Sequence, residues 1–307
     1  MIKVAITGAD SPQAGELLRI LVNHPEVIIT TLSAPGKEGV AASSVHHGLI
    51  GEEKMNFSGP LSMTPDCNVV FICGNSMTAA EFSALQLARP DLRTIIIDGI
   101  DNLDYDRLGV VYGLPEINRK MLVRGAVAAR VPSPAASAVL TALYPLAVNM
   151  LLNDTLKIEI SAPADLLNNI SKAESEINQT LSETQLSFNG KVSIATNDSG
   201  DERKMRGAIT LACPVSLEQI QDVYNMYDDH NFAYPIISSA AENEVMGTNK
   251  CVITYSKPDD STLLLEVVAD PRMRGGAGEA VHIMNLLFGL HEKTGLALKA
   301  SAYHVGK

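Results

Sequence analysis

The chain has 307 residues, of which 46% are hydrophobic and 19% charged; that is long for one domain at ~100–200 residues each and apolar enough to exclude wholesale disorder. Lys and Arg number 24 against 35 Asp and Glu, a formal charge of −11, which argues against nucleic acid or an anionic membrane as the main partner, since both need clustered cations. A small anionic ligand held by a few local donors remains compatible with that balance.

The first hundred residues alternate between strand and helix patterns. Ile2–Thr7 is a short apolar run ended by Gly8, as in a buried parallel strand. Gln13–Asn23 groups Leu17, Leu18, Ile20 and Leu21 on one helical side. Further β-branched runs follow at Val27–Leu32, Val69–Cys73 and Thr94–Ile97, with a helical pattern at Ala79–Ala88 between the last two. Such alternation implies right-handed crossovers and a doubly wound, dinucleotide-type sheet. Near residue 150 the rhythm changes. Lys157–Ser161, Val192–Ala195, Ala208–Val215, Cys251–Tyr255 and Thr262–Val268 read as strands, and Ser171–Leu186 and Leu217–Tyr227 as helices. SKPDDS (residues 256–261) marks an antiparallel hairpin, and the polar stretch 196–204 reads as an exposed loop.

Four cysteines (Cys67, Cys73, Cys213, Cys251) are too scattered for a disulfide framework, and no pair has zinc-site spacing, so no metal is expected. The N-terminus has no signal-peptide core, and no stretch approaches the ~18 apolar residues of a membrane span. A cytoplasmic protein is the expectation.

A phosphate-binding turn belongs between the first strand and the first helix, where glycines let backbone N–H groups approach a pyrophosphate. The residues there are TGADSPQAGEL (7–17). Gly8 suits the tight turn. Where a second glycine is wanted, Ser11 and Pro12 stand, and Pro12 removes one N–H from the cradle. Two readings stay open. One is an ordinary turn with Ser11 as N-cap and Pro12 at the first helical position; the other is weakened dinucleotide binding through Gly8, Ser11, Pro12 and Gln13, with Cys73 and Gly74 at the neighbouring strand end. The second strand ends at Leu32-Ser33 without an acid for the ribose hydroxyls, which favours NADP, with Ser33 and Lys37 as candidate contacts.

Two later segments are more specific. VYGLPEINR (111–119) and RGGAGEAVHIMNLLFGLHEKTGL (274–296) resemble the N-acetyl-gamma-glutamyl-phosphate reductase family, as do AGELLRILVNHPEV (14–27), VHHGLIGE (45–52), RGAITLACPV (206–215) and TNKCVI (248–253). The resemblance runs from Met1 to Ala302. It implies an α/β architecture: a Rossmann-type, mainly parallel sheet domain over 1–140, then an α+β semialdehyde-dehydrogenase-like dimerisation domain over 141–274. A helix over 275–290 would return to the first domain, with Val281, Met284, Leu287 and Phe288 as its packing stripe. His282, inside that helix, reads as structural or solvent-facing. A homo-oligomer, a dimer or higher, would form through the second sheet, with Leu263–Val268 taking part.

The family reaction implied by the resemblance reduces an acyl phosphate. A cysteine thiolate forms a thioester, NADPH delivers hydride, and a histidine moves the proton; a thiol suits the work because its thiolate is accessible and strongly nucleophilic. The family's nucleophile motif resembles ANPGCYPTA. The matching RVPSPAASA (130–138) places Pro134 at the cysteine and Ser133 at the preceding glycine. Ser133-Pro134 spells an N-cap and a first-turn proline, and Ser133 and Ser137 read as capping or packing hydroxyls. The family's base segment, HQHVPEIKQSL, matches SKAESEINQTL (171–181), with Ala173 at the histidine and Glu176-Ile177 keeping the frame. Against the family's longer active-site loop, the resemblance implies one shortened to SAPADLLNN (161–169), while Arg206 still matches a substrate-binding arginine. The leading expectation is therefore a homologue silent for the family reaction, acting as a binding, regulatory or partner protein. The alternative is an NADP-dependent oxidoreductase working without a covalent intermediate or on another acyl-phosphate or aldehyde substrate.

Overall fold

The computed structural model describes residues 1–52, 54–153, 156–236 and 242–300. They form two compact units, Met1–Val131 with Gly276–Ala297, and Pro132–Gly275 with the residues from Leu298. The division after Val131 precedes the expected position near 140.

The first unit runs β1 (Ile2–Thr7), α1 (Pro12–Leu21), β2 (Val27–Ser33), β3 (Val69–Ile72), α2 (Ala79–Ala88), β4 (Arg93–Ile96), β5 (Val111–Tyr112), α3 (Pro115–Val123) and β6 (Ala128–Arg130). The second runs α4 (Pro134–Val148), β7 (Lys157–Ala162), α5 (Ala164–Leu167), α6 (Ile170–Thr184), β8 (Ile194–Asp198), β9 (Met205–Ala212), α7 (Leu217–Tyr224), β10 (Ala233–Ile236), β11 (Cys251–Asp259) and β12 (Thr262–Ala269). The last helix, α8 (Ala277–Leu287), belongs to the first unit.

The first sheet has the order β2-β1-β3-β4-β6-β5 and is parallel throughout. Every residue of β3 is buried, as are Val4–Thr7 of β1, the pattern of strands covered on both faces. The expected neighbours β3 and β4 are paired, Val69 opposite Arg93 to Ile72 opposite Ile96. Helix α2 starts where expected because Thr78 and Glu81 make a reciprocal capping box: Thr78 N donates to the Glu81 carboxylate at 2.8 Å and Glu81 N to Thr78 Oγ1 at 3.2 Å. Helix α8 does not show one packed stripe; all of Ala277–Leu287 is buried, against α1, α3 and β4. Its polar members have partners inside the unit. His282 Nε2 lies 2.9 Å from Glu292 Oε2, and Asn285 Oδ1 lies 3.1 Å from His24 Nε2. His282 is thus buried and structural rather than solvent-facing.

The second sheet is mixed, in the order β10-β11-β12-β9-β7-β8. Strands β11, β12, β9 and β7 pair antiparallel, and parallel pairs close both edges. The hairpin turn is tighter than SKPDDS suggested. Pairing continues to Asp259 opposite Thr262, with an irregularity beside Pro258, and Asp259 Oδ1 accepts from Ser261 N and Thr262 N at 2.8 Å each. The stretch expected as a loop from 196 begins as strand: β8 pairs with β7 through Asp198 although four of its five side chains are exposed. An edge strand needs backbone partners, not apolar side chains.

Helix α4 crosses this unit and carries Pro145 in its interior. Proline has no N–H for the carbonyl four residues back, Thr141 O. The Tyr227 hydroxyl donates to that oxygen at 2.7 Å, and Tyr224 does the same for Ala142 O at 2.7 Å. All four groups are buried. Tyr227→Phe should therefore cost about 1 kcal/mol or somewhat more, the loss of a hydrogen bond to a buried carbonyl, read as a lower urea midpoint; an unchanged midpoint would show that the tyrosine does not compensate for the proline.

Candidate functional site

In the first unit the carboxyl ends of β1, β3 and β4 lie side by side, and β1 sits between β2 and β3. The crevice outside such a strand-order reversal is where doubly wound sheets bind ligands. Gly8 turns the chain there with φ +65°, and a β-carbon on it would collide with Cys73 O and approach Ser76 Oγ to 2.9 Å. Only glycine fits, so the tight turn is kept. Gly74, exposed and with φ +60°, follows β3 beside it.

The backbone donors of this turn are largely engaged within the unit. Ala9 N bonds Ser33 O and Ser11 N bonds Gly8 O, each at 3.0 Å; Gly15 N bonds Ser11 O at 3.0 Å and Ala14 N bonds Ser11 Oγ at 3.3 Å. Pro12, at the first helical position, has no N–H to give. Ser11 is the N-cap, as the bland reading holds. Gln13, half-buried, follows in the first helical turn. The turn keeps the shape that admits a dinucleotide and offers its phosphates fewer amides than a glycine-rich loop would.

Two expected contacts have partners inside the unit. Ser33 is buried and its hydroxyl donates to Gly59 O at 2.9 Å, so it faces a neighbouring loop. Lys37 pairs with Asp10, Nζ to Oδ2 at 2.8 Å, and this contact holds the Asp10 carboxyl below its usual pKa. Cys73 is fully buried; desolvation, with Asp98 adding repulsion, pushes its thiol well above the usual range. That environment opposes a thiolate and does not suit a replacement nucleophile.

In the second unit Pro134 opens α4, and Ser133 takes the N-cap position without capping through its side chain. The expectation of a serine cap is corrected: the hydroxyl donates to Glu176 Oε2 at 3.1 Å, and Ser133 N donates to the same oxygen at 2.9 Å. Glu176, buried on α6, thus places a carboxylate at the start of α4, where the helix dipole favours negative charge. One turn earlier on α6, Ala173 is 1% exposed and carries only a methyl group. Ser137 is buried within α4, and its N–H bonds Ser133 O at 2.8 Å. Gly275, φ +67°, packs on the same helix start; a β-carbon there would lie 2.6 Å from Pro134 N.

The arginines of this unit meet internal acids. Arg206 Nε bonds Glu242 Oε1 at 2.7 Å, with Glu266 also within 3.5 Å; the pairing raises the arginine's pKa and lowers that of Glu242. Arg272 grips Asp165 with two bonds of 2.8 and 3.0 Å, and Asp165 belongs to the shortened loop, now the single turn α5. Arg203 bonds the fully buried Asp270 at 2.9 Å, and Asp270 also accepts from Gly247 N and Arg272 N. Sequence reasoning placed Arg206 and missed its carboxylate partners, which lie 36 and more residues away along the chain. Glu176 was visible only as a frame-keeping residue. Asp10 stands inside the turn as an acid, the signal in the sequence for a partner to Lys37.

A parallel sheet with a glycine turn at its switch point, joined to a mixed-sheet unit, defines a semialdehyde-dehydrogenase-type protein, and the comparisons agree. Residues 3–124 match the semialdehyde dehydrogenase NAD binding domain. Among solved structures, a probable aspartate-semialdehyde dehydrogenase from Pseudomonas aeruginosa superposes with TM-score 0.70 at 14% identity, covering 94% of this chain and 98% of that one. The Candida albicans aspartate semialdehyde dehydrogenase, solved with NADP, gives 0.68 at 14%, with the same coverage. N-acetyl-gamma-glutamyl-phosphate reductases of Parabacteroides distasonis and Flavobacterium johnsoniae are 30% and 32% identical over 99% of this chain and their entire lengths. The chain belongs to the N-acetyl-gamma-glutamyl-phosphate reductase family. Among the described residues, no helix is long and apolar enough to cross a membrane, and no group of three His, Cys, Asp or Glu could hold a metal ion.

Glu176→Ala would leave Ser133 N and its hydroxyl without their acceptor. A loss of about 1–3 kcal/mol is expected, with Glu176→Gln, which keeps one acceptor oxygen, losing less. Denaturant unfolding of the two variants checks the order; equal stability of Glu176→Ala and the parent would remove the carboxylate's role at α4.

Proposed function

We propose that this chain binds a dinucleotide through its first unit and does not perform the thiol chemistry of its family, serving instead as a binding or regulatory protein. The carrying observation is the start of α4. The position matched to the nucleophile is Pro134, and the helix end is engaged by Ser133 and the Glu176 carboxylate. A nicotinamide cofactor would supply hydride; the residues placed to hold it are Gly8, Ser11, Gln13 and Gly74, and Lys37, the candidate contact for a 2′-phosphate, is bonded to Asp10. The chain's own side chains provide neither a thiolate nor an imidazole at the positions where the family reaction needs them. Arg206, the arginine matched to a substrate contact, is already bonded to Glu242.

Phosphate-dependent oxidation of N-acetylglutamate semialdehyde with NADP should be undetectable with purified protein, and Pro134→Cys alone should not restore it, because Ala173 cannot accept a proton. Losing nucleophile and base together leaves only binding effects. A rate within about a hundredfold of a median kcat of ~10 per second would overturn this reading. An NADPH-dependent rise in melting temperature is expected; its absence would remove the dinucleotide part.

We further propose a homodimer, or a higher assembly of such dimers, through the outer face of the second sheet. In β12, Leu263, Leu265 and Val267 enter the unit's core, while Thr262, Leu264 and Glu266 are half-buried on the other face. Leu264 lies opposite Thr210 on this face, with Lys157, Glu159 and Glu266 at neighbouring register positions. Light scattering at micromolar concentration should report at least twice the chain mass; a monomer would refute the assembly.

A further inference from the structure

We propose that Asp10 masks Lys37 and so suppresses the chain's discrimination between phosphorylated and unphosphorylated dinucleotides. This inference rests on the dinucleotide reading above and goes beyond it by naming the device that sets specificity.

The geometry is local to the first unit. Lys37 lies in the loop after β2, whose end meets the ribose 2′ position in doubly wound sheets, where a basic side chain accommodates a 2′-phosphate. Its ammonium is bonded to Asp10 Oδ2 at 2.8 Å, and Asp10 sits within the phosphate turn between Gly8 and Ser11. The turn is fixed from a third side. The His46 ring donates from Nε2 to Ala9 O at 2.7 Å, and a β-carbon at Gly15 would lie 2.6 Å from His46 Nδ1. Asp10 is therefore carried on backbone anchored to both the β2 end, through Ala9 N and Ser33 O, and the His46 loop. The acid next to Lys37 in the chain, Glu38, is turned to Gly36 N at 3.1 Å. Asp10 is the carboxylate bonded to Lys37.

The pair has two consequences for an anionic ligand. Lys37 must leave Asp10 before it can meet a 2′-phosphate, and a carboxylate remains in the turn next to the pyrophosphate. Both oppose NADP, and the first acts on the 2′-phosphate alone. The side chains of Lys37 and Asp10 are 41% and 34% accessible, so the mask is of modest strength and weakens as salt screens it.

The test is a titration of NADPH and NADH, by fluorescence, against the parent chain, Asp10→Asn, Lys37→Ala and the double variant at low salt. Asp10→Asn is expected to tighten NADPH by about fivefold, the scale of a partly exposed ion pair, and NADH by less than twofold. The NADPH gain should vanish in the double variant and shrink at high salt. Circular dichroism and melting curves verify that each variant is folded. An equal gain for both dinucleotides would overturn the mask, since it would report only the removal of a charge from the turn. An NADPH gain that survives Lys37→Ala would overturn it as well. Should NADH and NADPH bind the parent chain and all variants with unchanged affinity, the mask falls and the dinucleotide reading stands. If neither binds any folded variant, the dinucleotide reading itself falls and takes the mask with it.

Discussion

One carboxylate oxygen holds the start of helix α4: Glu176 Oε2 accepts from both the N–H and the hydroxyl of Ser133. The contact joins α6 to the first turn of a helix that packs on the second sheet, and it places a negative charge at the positive end of the dipole. Pro134 then opens the helix with a backbone angle already suited to it, and Gly275 closes over the same turn in a conformation and space that exclude a side chain. The result is a well-supported helix start at Pro134. On the reading proposed above, these supports are backbone contacts and one carboxylate, none of which needs a thiol.

A second regularity follows the same logic. Four cations near the candidate sites are answered by the chain's own acids: Arg206 by Glu242 and Glu266, Arg272 by Asp165, Arg203 by Asp270, and Lys37 by Asp10. Each pair holds its carboxylate or satisfies a buried one, and each reduces the field an incoming anion would meet. The formal charge of −11 is thus expressed locally as well as in total. The phosphate turn repeats the pattern with neutral groups, since four of its amides bond to Ser33 O, Gly8 O, Ser11 O and Ser11 Oγ. Interactions of this kind stabilise the free protein and weaken its grip on ligands, because binding has to exchange one partner for another.

The parts legible in the sequence were those with local causes. Helix α2 carries its own capping box, β1 is a mainly apolar run ended by Gly8, and β3 is wholly apolar with Gly74 soon after it, so their positions follow from neighbouring residues. The short strands β5, β6 and β10, of two to four residues, leave too little pattern to read. Helix α8 looked like a one-sided stripe because Glu279, His282 and Asn285 are polar; burial of His282 and Asn285 depends on partners such as Glu292 and His24, which periodicity does not reveal. The same limit explains Ser133 and Ser33. A serine before a proline reads as a cap, but its hydroxyl was drawn to a carboxylate 43 residues later, and Ser33 turned to a carbonyl 26 residues on. The family motifs mark the expected site; the long-range pairings around it are set by the fold.

The central claim, that the helix start survives as structure without a nucleophile, is tested most directly by acyl transfer itself. Purified protein incubated with N-acetyl-gamma-glutamyl phosphate, quenched and weighed intact by mass spectrometry, should show only the unmodified chain, with no acyl adduct at any time point. An adduct that forms at a saturable rate and maps to Ser133, Cys73 or another side chain of this fold would contradict the account.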